Sequence, residues 1–457
     1  MDLDASAAFR AFATRDARLD GYLFGAVLTT GVYCRPVCPA RTPRPENVRF
    51  YSSAAAAQGA GFRPCLRCRP ETAPELGAWN GTANTVARAL ALIDLGALDT
   101  GGLAELAGRL GVGERHLRRL FQDHLGASPV GVAQTRRLLM ARRLILETSL
   151  PMSEVALAAG FGSVRRFNEA FRAICGRTPA SLRTRRTTEP DASGGVTLRL
   201  AYRPPYDWPR MLDFFARRQV AGVEAIEGEA YARTLAIGGT PGVVRVAPGR
   251  GDSLEVRLWF PDLRVLPRVL AQVRRVFDLA LDPERIRAHL GADPDLATLL
   301  AERPGLRAPG AWDGFETAVR AILGQQVSVS AARALAGGLA AAYGAPLDSE
   351  AARRFGLTRL FPDAGRLAGL DPETLPMPRS RGRALAAIAR LASEDPHLFG
   401  PGQDLESAVL RLSALPGVGP WTAQYIAMRA LREPDAFPHS DLALLRVMAG
   451  PDGVRPT

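Results

Sequence analysis

Gly31-Val-Tyr-Cys-Arg-Pro-Val-Cys-Pro, at residues 31–39, and Gly61-Phe-Arg-Pro-Cys-Leu-Arg-Cys-Arg-Pro, at residues 61–70, contain four of the five cysteines of this 457-residue chain. The two close pairs are Cys34 with Cys38 and Cys65 with Cys68, and 26 residues separate them. Two close thiolate pairs joined by a loop can converge tetrahedrally on one Zn²⁺. The spacing therefore predicts a single zinc site, and by itself it favours a structural zinc ribbon.

Length and composition indicate a cytoplasmic protein of several domains. A chain of 457 residues is too long for one hydrophobic core, and the usual domain size predicts about three or four domains. Residues 1–20 lack the pattern of a signal peptide, and the longest apolar runs are too short to span a membrane. Thiols stay reduced in the cytoplasm, which favours a zinc site over disulfides.

The net charge favours a polyanionic partner, most simply nucleic acid. The formal charge is +12 and the pI is about 10.3. No lysine occurs in the chain, so arginine carries all of the positive charge apart from histidine. A chain rich in Ala, Arg, Gly and Pro without lysine is also what codon bias in a GC-rich genome produces. Charge alone therefore leaves both explanations open.

Four segments differ in composition and periodicity, and together they predict a multidomain α+β protein. Residues 1–76 contain the cysteines, and residues 84–186 have helical periodicity with glycine at the turns. Residues 196–282 begin with short alternating strands, and residues 283–457 are helical. The polar stretch from Thr184 to Gly195 has the composition of a linker.

The flanks of the cysteines resemble a known family. Thr29-Thr-Gly-Val-Tyr-Cys, Pro45-Glu-Asn-Val-Arg-Phe-Tyr and the stretch that begins at Gly61 are similar to the methyl-phosphotriester acceptor domain of the Ada family. The resemblance implies that Cys34 accepts a methyl group from an alkylated DNA phosphate. Four thiolates on Zn²⁺ carry a charge of about −2, and methylation would remove one negative charge and strengthen binding to phosphate. Five nearby arginines are candidates for phosphate contacts: Arg35, Arg41, Arg63, Arg67 and Arg69.

Residues 84–186 contain two helix–turn–helix motifs. Apolar residues keep core spacing from Leu103 to Phe121 and again from Met152 to Ala173. The stretch Ala159-Gly-Phe-Gly-Ser and the Arg-Phe-Asn-Glu-Ala-Phe-Arg that follows resemble the AraC-type DNA-binding domain, which implies that the second helix of each motif enters the major groove. A solvated helix face is the alternative for the arginines of these helices. The residues expected to contact DNA are Arg115, Arg118, Arg119, Arg165 and Arg166.

The carboxy-terminal half carries a helix–hairpin–helix signature, Leu415-Pro-Gly-Val-Gly-Pro-Trp-Thr-Ala. Gly417 and Gly419 allow the turn to approach a DNA phosphate, which backbone amides can bind without reading sequence. Together with Ala321-Ile-Leu-Gly-Gln-Gln-Val-Ser-Val and Phe437-Pro-His-Ser-Asp, this stretch resembles the 3-methyladenine DNA glycosylase II family, AlkA. The strands after residue 196 resemble that family's amino-terminal antiparallel β domain, which has a TBP-like fold, and the rest is expected to be an all-α glycosylase domain.

The resemblance to AlkA implies roles for individual residues. Asp441 is expected to be the catalytic carboxylate, which stabilises an oxocarbenium-like sugar as the N-glycosidic bond breaks. Trp421 and Tyr425 are expected to stack on the extruded base. Gln325 and Gln326 are expected to contact the substrate, with Gln326 as the wedge that fills the vacated stack. The structural alternatives are that Asp441 caps a helix and that the two aromatic residues, four apart, are core packing.

Absences in the sequence refine this prediction. Without lysine the chain has no amine for the Schiff base used by glycosylases that also nick the backbone, so a glycosylase here should be monofunctional. No Pro-Cys-His-Arg motif occurs, so O6-methylguanine repair is not expected. The resemblance implies further helices after Asp441, but sixteen residues follow it, so the glycosylase domain is expected to be carboxy-terminally incomplete.

Three functional interpretations follow. The first is a fused alkylation-response protein that is a methyl acceptor, a DNA reader and an alkylbase glycosylase. The alternative is a transcriptional activator whose glycosylase domain is inactive; a third interpretation makes the zinc domain purely structural. We expect a monomer that holds one Zn²⁺, binds double-stranded DNA, including alkylated DNA, and has RNA polymerase as a further candidate partner and no membrane contact.

Overall fold

The computed structural model describes residues 4–74, 84–183, 194–375, 377–400 and 405–449. The chain divides into two compact units. The first unit contains residues 1–210, 236–274 and 278–307, and the second contains residues 211–235, 275–277 and 308–457. Residues 184–193 of the predicted linker and residues 450–457 lie outside the described residues. Among the described helices, none is both long enough and apolar enough to cross a membrane.

A small four-stranded sheet organises the amino-terminal part of the first unit, residues 4–74, which we call the zinc module. Its strands are β1 (Phe24–Val27), β2 (Val32–Cys34), β3 (Val48–Tyr51) and β4 (Arg63–Pro64), in the order β3-β1-β2-β4. Helices α1 (Ala5–Ala13) and α2 (Ala54–Gly59) pack against it. β2 pairs parallel with β4, with Tyr33 opposite Pro64. Cys34 follows Tyr33 and Cys65 follows Pro64, so the two cysteines lie at the same end of β2 and β4.

Residues 84–183, which we call the reader module, are helical. The helices are α3 (Asn84–Asp94), α4 (Ala97–Thr100), α5 (Leu103–Arg109), α6 (Glu114–Leu125), α7 (Pro129–Glu147), α8 (Met152–Ala158), α9 (Val164–Cys175) and α10 (Pro179–Leu182). The α5–α6 and α8–α9 pairs are the two predicted helix–turn–helix motifs, and α7 joins them. The φ of Gly111 is +69°, so the first turn needs a conformation that glycine adopts without strain.

Antiparallel strands follow, as the alternating pattern predicts. They are β5 (Val196–Ala201), β6 (Glu224–Glu227), β7 (Ala230–Ile237), β8 (Thr240–Pro248) and β9 (Ser253–Trp259), and the helices between and after them are α11 (Trp208–Arg218), α12 (Leu266–Val276), α13 (Pro283–Leu290) and α14 (Pro294–Glu302). β9 pairs with β5 and β8 in the first unit, whereas β6 and β7 form a hairpin whose paired residues lie in the second. We call residues 194–210, 236–274 and 278–307, which complete the first unit, the β module.

The second unit is mostly helical. Its helices are α15 (Gly314–Leu323), α16 (Val329–Tyr343), α17 (Glu350–Arg354), α18 (Ala364–Ala368), α19 (Arg379–Glu394), α20 (Leu405–Ser413), α21 (Pro420–Ile426) and α22 (Leu442–Val447), with a π-helical turn at Ala427–Leu431. α15, α19 and α21 supply the centre of its core, where Ile322, Leu385 and Ile426 are fully buried. Because α21 begins at the glycine-rich hairpin, this core also positions the hairpin.

A buried ion-pair network ties the β6–β7 hairpin to α15. Arg233 lies 2.8 Å from Glu316 and 3.4 Å from Glu224, and Tyr231 donates its hydroxyl hydrogen to Glu224 at 2.7 Å. Arg320 pairs with Glu316 at 2.8 Å. Burial raises the pKa of Glu316, but the two arginines outweigh burial and lower that pKa overall. Each buried charge therefore has a partner of opposite sign, as a buried charge requires.

Candidate functional sites

The four predicted zinc ligands come together in the zinc module. The Sγ atoms of Cys34, Cys38, Cys65 and Cys68 all lie within 4.8 Å of one another, and all four residues are buried. Tetrahedral coordination with Zn–S distances of about 2.3 Å separates sulfur atoms by about 3.8 Å, so the donor set fits one Zn²⁺. Four thiolates at this separation repel one another, so they need a divalent cation between them.

Backbone amides and an aromatic ring surround the cluster. The Arg35 amide donates to Cys68 Sγ at 3.3 Å, and the Arg67 amide donates to Cys65 Sγ at 3.4 Å. The ring of Phe12 packs on the cysteines, and a Cβ atom at Gly25 would lie 2.5 Å from it. Glycine at that position therefore allows the ring to cover one side of the cluster.

Two of the five arginines predicted to contact phosphate are half-buried and have partners within the protein. Arg35 donates to Asp20 at 2.8 Å and to the hydroxyl of Thr72 at 2.6 Å, and Arg69 lies 2.7 Å from Glu147. The guanidinium groups of Arg35 and Arg69 therefore hold the loops around the cluster, and a phosphate contact by either residue stays a prediction. The three that the structure leaves exposed are Arg41, Arg63 and Arg67.

The predicted DNA-contacting arginines lie on the exposed faces of α6 and α9. The opposite faces form the core, in which Leu117, Phe121, Phe167 and Phe171 are fully buried. Arg118 and Arg165 each make an exposed ion pair with a glutamate on the same helix, at 3.1 and 2.9 Å. Such pairs contribute little to stability and open easily. The exposed set is Arg115, Arg118, Arg119, Arg165 and Arg166.

In the second unit, the predicted hairpin joins α20 to α21. Gly417 has a φ of +78°, and a Cβ atom there would lie 2.9 Å from the Cβ of Ala384 on α19. Gly419 precedes Pro420, the first residue of α21, and both glycines are exposed. A larger residue at position 417 would strain the turn and push it away from α19, so the hairpin depends on glycine for both conformation and space.

The two glutamines predicted to contact substrate have different environments. The Gln325 amide nitrogen donates to the Gly417 carbonyl at 2.8 Å and to the Thr422 hydroxyl at 3.2 Å. Gln326 is exposed, with a φ of +55°, at the turn between α15 and α16. Gln325 therefore fastens this turn to the hairpin and its amide is engaged inside the protein, whereas Gln326 stands at the surface, as a wedge residue must.

The structure brings Asp441 and Trp421 together from twenty positions apart. One carboxylate oxygen of Asp441 accepts hydrogen bonds from the amides of Ala443 and Leu444, at 2.9 and 3.2 Å, and thereby caps α22. The other accepts the indole hydrogen of Trp421 at 2.9 Å. Asp441 is thus a helix cap, as one interpretation predicted, and its second oxygen also faces the hairpin helix. The indole contact was missed, because sequence spacing carries no signal for it.

An arginine that the sequence analysis did not identify holds the aromatic pair of α21 in place. The rings of Trp421 and Tyr425 stack with centroids 5.2 Å apart and an interplanar angle of 15°. Arg429 donates to the Tyr425 hydroxyl at 2.7 Å, and its guanidinium lies 4.6 Å from the ring centroid of Phe214. Burial lowers the pKa of Arg429. Because the two rings contact each other, a base can stack on the pair but not between its members.

Comparisons with known proteins identify three parts of the chain. The family model of the metal-binding domain of Ada matches residues 7–71, that of a helix-turn-helix domain matches residues 106–185, and that of the AlkA N-terminal domain matches residues 197–313. The predicted resemblances and the multidomain α+β fold class are confirmed.

Relatives extend these matches over most of the chain. The sequence is 45% identical to the "Probable bifunctional transcriptional activator/DNA repair enzyme AlkA" of Mycobacterium tuberculosis over 445 residues, which are 96% of this chain and 89% of the relative. It is 39% identical to the DNA-3-methyladenine glycosylase 2 of Escherichia coli over 255 residues, 55% of this chain and 86% of the relative. A solved 3-methyladenine DNA-glycosylase from Archaeoglobus fulgidus shares the fold, with a TM-score of 0.50, 22% identity, and coverage of 57% of this chain and 88% of that one.

Proposed function

Since the chain belongs to the family of AlkA-type bifunctional transcriptional activators and DNA repair enzymes, we propose that it repairs alkylated DNA at two separate sites and binds specific DNA sequences. Cys34 takes methyl groups from DNA phosphotriesters, and the second unit hydrolyses the N-glycosidic bond of alkylated purines. The helix–turn–helix motifs read double-stranded DNA, with RNA polymerase as a candidate partner of a monomeric, cytoplasmic activator.

Methyl transfer needs a nucleophilic sulfur, and the chain supplies one at the end of β2. Bound Zn²⁺ would keep the sulfurs of Cys34, Cys38, Cys65 and Cys68 deprotonated at neutral pH. Cys34 attacks the methyl carbon, a sulfur–carbon bond forms, and the carbon–oxygen bond to the phosphate breaks. The oxygen keeps the electron pair, so a phosphotriester becomes an anionic phosphodiester and Cys34 becomes a thioether.

The transfer changes the charge next to the DNA. The cluster loses one negative charge, while Arg41, Arg63 and Arg67 keep their positive charge on the exposed surface. Repulsion between the protein and the phosphate backbone then falls, and binding strengthens. The same event therefore repairs the phosphate and favours the DNA-bound, activating state.

Base removal relies on Asp441 and its surroundings. The indole of Trp421, 2.9 Å away, orients one carboxylate oxygen toward the hairpin helix. A carboxylate placed there stabilises the oxocarbenium-like sugar and orients water, and an alkylated purine, already cationic, leaves with little acid catalysis. Gly417 and Gly419 contact the backbone, Gln326 fills the vacated stack, and the aromatic pair receives the flipped base. With no lysine to form a Schiff base, the enzyme leaves an intact abasic site.

The observation that carries the glycosylase proposal is the contact between Asp441 and Trp421. It is tested by measuring free alkylated purine released from methylated duplex DNA by the wild type and by Asp441→Asn. We expect release by the wild type and almost none by the variant. Equal, negligible release by both would refute the glycosylase activity and favour an activator whose glycosylase domain is inactive.

The methyl-acceptor proposal has a separate test. The zinc-loaded protein is incubated with DNA that carries methyl phosphotriesters and is then analysed by peptide mass spectrometry. We expect one added methyl group on the peptide that contains Cys34, and none on that peptide after Cys34→Ser. An unmodified Cys34 in the wild type would leave the cluster a structural zinc site.

A further inference from the structure

Two guanidinium groups from the β module lie over one tyrosine ring of the zinc module. Tyr22 precedes β1, and the guanidinium carbons of Arg203 and Arg285 lie 4.6 and 4.9 Å from its ring centroid. Burial, with the nearby carboxylate of Asp282, raises the pKa of the Tyr22 hydroxyl. A cation over the face of an aromatic ring is attracted to the ring. The two arginines of the β module therefore hold Tyr22 through its ring.

The residues before Tyr22 contact the same surface. A nitrogen of Arg203 donates to the carbonyl of Asp20 at 2.8 Å, and the Arg203 side chain is buried. Gly21 has a φ of +86°, and a Cβ atom there would lie 3.2 Å from the Arg203 guanidinium and overlap the carbonyl oxygen of Pro74. This close approach indicates a fitted interface rather than a chance encounter of surface side chains.

The same loop is joined to the cysteine cluster. The carboxylate of Asp20 pairs with the guanidinium of Arg35, which follows Cys34 directly. Arg35 also donates to the Cys68 carbonyl at 3.1 Å through its side chain and to Cys68 Sγ at 3.3 Å through its amide. Because Arg203 holds the Asp20 carbonyl, a short run of contacts leads from the sulfur cluster to the β module.

An independent contact joins all three modules of the first unit. Glu147 is the last residue of α7 in the reader module. One of its carboxylate oxygens accepts from Arg69 of the zinc module at 2.7 Å, and the other accepts from the Arg199 amide on β5 at 3.3 Å. A single carboxylate therefore fixes the zinc module, the reader helix and a strand of the β module relative to one another.

We propose that the zinc module docks on the β module of the same chain through Tyr22, Arg203 and Arg285, so that retention of the metal depends on residues of the β module. Both surfaces belong to the same chain. The inference does not depend on the methyl-acceptor activity or on the glycosylase activity. By linkage, a contact that stabilises the metal-bound module is itself stabilised by the metal. The zinc module, the reader module and the β module then respond together to the state of the sulfur cluster.

The test measures zinc release from the full-length, zinc-loaded protein into an excess of a chromogenic chelator. Arg285→Ala removes one cation from the Tyr22 ring and is chosen because Arg285 is exposed, so its loss leaves no cavity. We expect release about two- to fivefold faster than in the wild type, the range for one cation–π contact at a partly exposed site. Arg285→Lys keeps the cation and should restore slow release.

Arg287→Ala is the matched control, because Arg287 lies on the same helix, is also exposed, and pairs with Glu284. It should release zinc at the wild-type rate. Zinc release from Arg285→Ala at the wild-type rate would overturn the proposal. Equally accelerated release from Arg285→Ala and Arg287→Ala would also overturn it, because the acceleration would then come from a less stable α13.

Hydrogen exchange provides a second readout in the same protein. The Arg199 amide should exchange faster once the chelator has removed the metal, because Arg69 no longer holds Glu147 against it. Unchanged exchange at Arg199 after complete zinc removal would show that the modules are not coupled and would also overturn the proposal.

Discussion

The hydrogen bond between Trp421 and Asp441 makes a sharp prediction about catalysis. Trp421→Phe removes the indole donor that lies 2.9 Å from the carboxylate and keeps an aromatic ring against Tyr425. The variant therefore separates two proposed roles of one side chain, which are orienting the carboxylate and stacking on the base. If orientation matters, the chemical step should slow even though the aromatic surface remains.

The size of the effect follows from the type of bond. A hydrogen bond to a charged group contributes about 1.5–3 kcal/mol, which corresponds to about 10- to 150-fold in rate. Asp441 and Trp421 are both half-buried, so water can replace part of the lost bond. We therefore expect the lower end, roughly a tenfold decrease. Trp421→Ala also loses the ring, and stacking of about 1–3 kcal/mol per base predicts a further decrease of at least fivefold.

The assay is single-turnover release of alkylated purine from a methylated duplex, with the enzyme in excess so that the chemical step is observed. DNA affinity, measured separately with unmodified duplex, should not change in Trp421→Phe. Asp441→Asn gives the background rate of purine release. A Trp421→Phe rate within twofold of the wild type, with Asp441→Asn inactive, would refute the idea that the indole positions the carboxylate.

The remaining predictions concern stability, base extrusion and backbone contact. Glu316→Gln leaves Arg233 and Arg320 to share the single carboxylate of Glu224, so one positive charge in the network is uncompensated, and the second unit should be destabilised by about 3–5 kcal/mol. Folding lowers the pKa of Glu316, so the stabilisation that its charge gives to the fold is present above the unfolded-state pKa and is lost as the pH falls through the lower folded-state pKa. Thermal melts should therefore show less acid destabilisation in Glu316→Gln than in the wild type. Gln326→Ala should slow excision from a fully paired duplex more than from one with the damaged base opposite a mismatch, because extrusion from a mismatch costs less; equal slowing on both would contradict a wedge role. Gly417→Ala should weaken binding to undamaged duplex in a fluorescence-anisotropy titration, because Gly417 has a φ of +78° and an added Cβ would contact Ala384. Unchanged affinity would mean that the hairpin does not contact the DNA backbone.

The zinc site could be predicted from the sequence because both cysteine pairs are local. Chain geometry brings Cys34 near Cys38 and Cys65 near Cys68, and only one long-range pairing, β2 with β4, has to join them. The environment of Arg35 could not be predicted in this way. Its partner, Asp20, lies in a loop fifteen positions earlier, and nothing in the spacing distinguishes a buried arginine from a solvated one.

The hairpin site shows the same division between local and long-range information. Gly417 was predictable because a tight turn between helices demands glycine at particular positions. Gln325 was predicted to contact the substrate, as was Gln326, and its side-chain amide donates to the Gly417 carbonyl, 92 positions away. For Asp441, capping and a second role were weighed as alternatives, but its two oxygens allow both at once. Sequence patterns predicted the residue, and only the structure shows that its second oxygen accepts the indole hydrogen of Trp421.

The lack of lysine also changes how the net charge should be interpreted. In many proteins lysine supplies much of the exposed charge, but here arginine serves both the surface and the interior. Arg142, with a side chain 1% exposed, donates to the carbonyls of Pro64 and Cys65 at 3.0 and 3.1 Å, and Arg203 and Arg233 are similarly buried. A planar guanidinium holds its donors in a fixed fork that suits two neighbouring carbonyls, whereas the donors of an ammonium group rotate on a flexible stem. A charge of +12 therefore includes cations that hold the protein together and never reach a phosphate. The salt dependence of DNA binding should follow the exposed arginines of the zinc and reader modules, not the total.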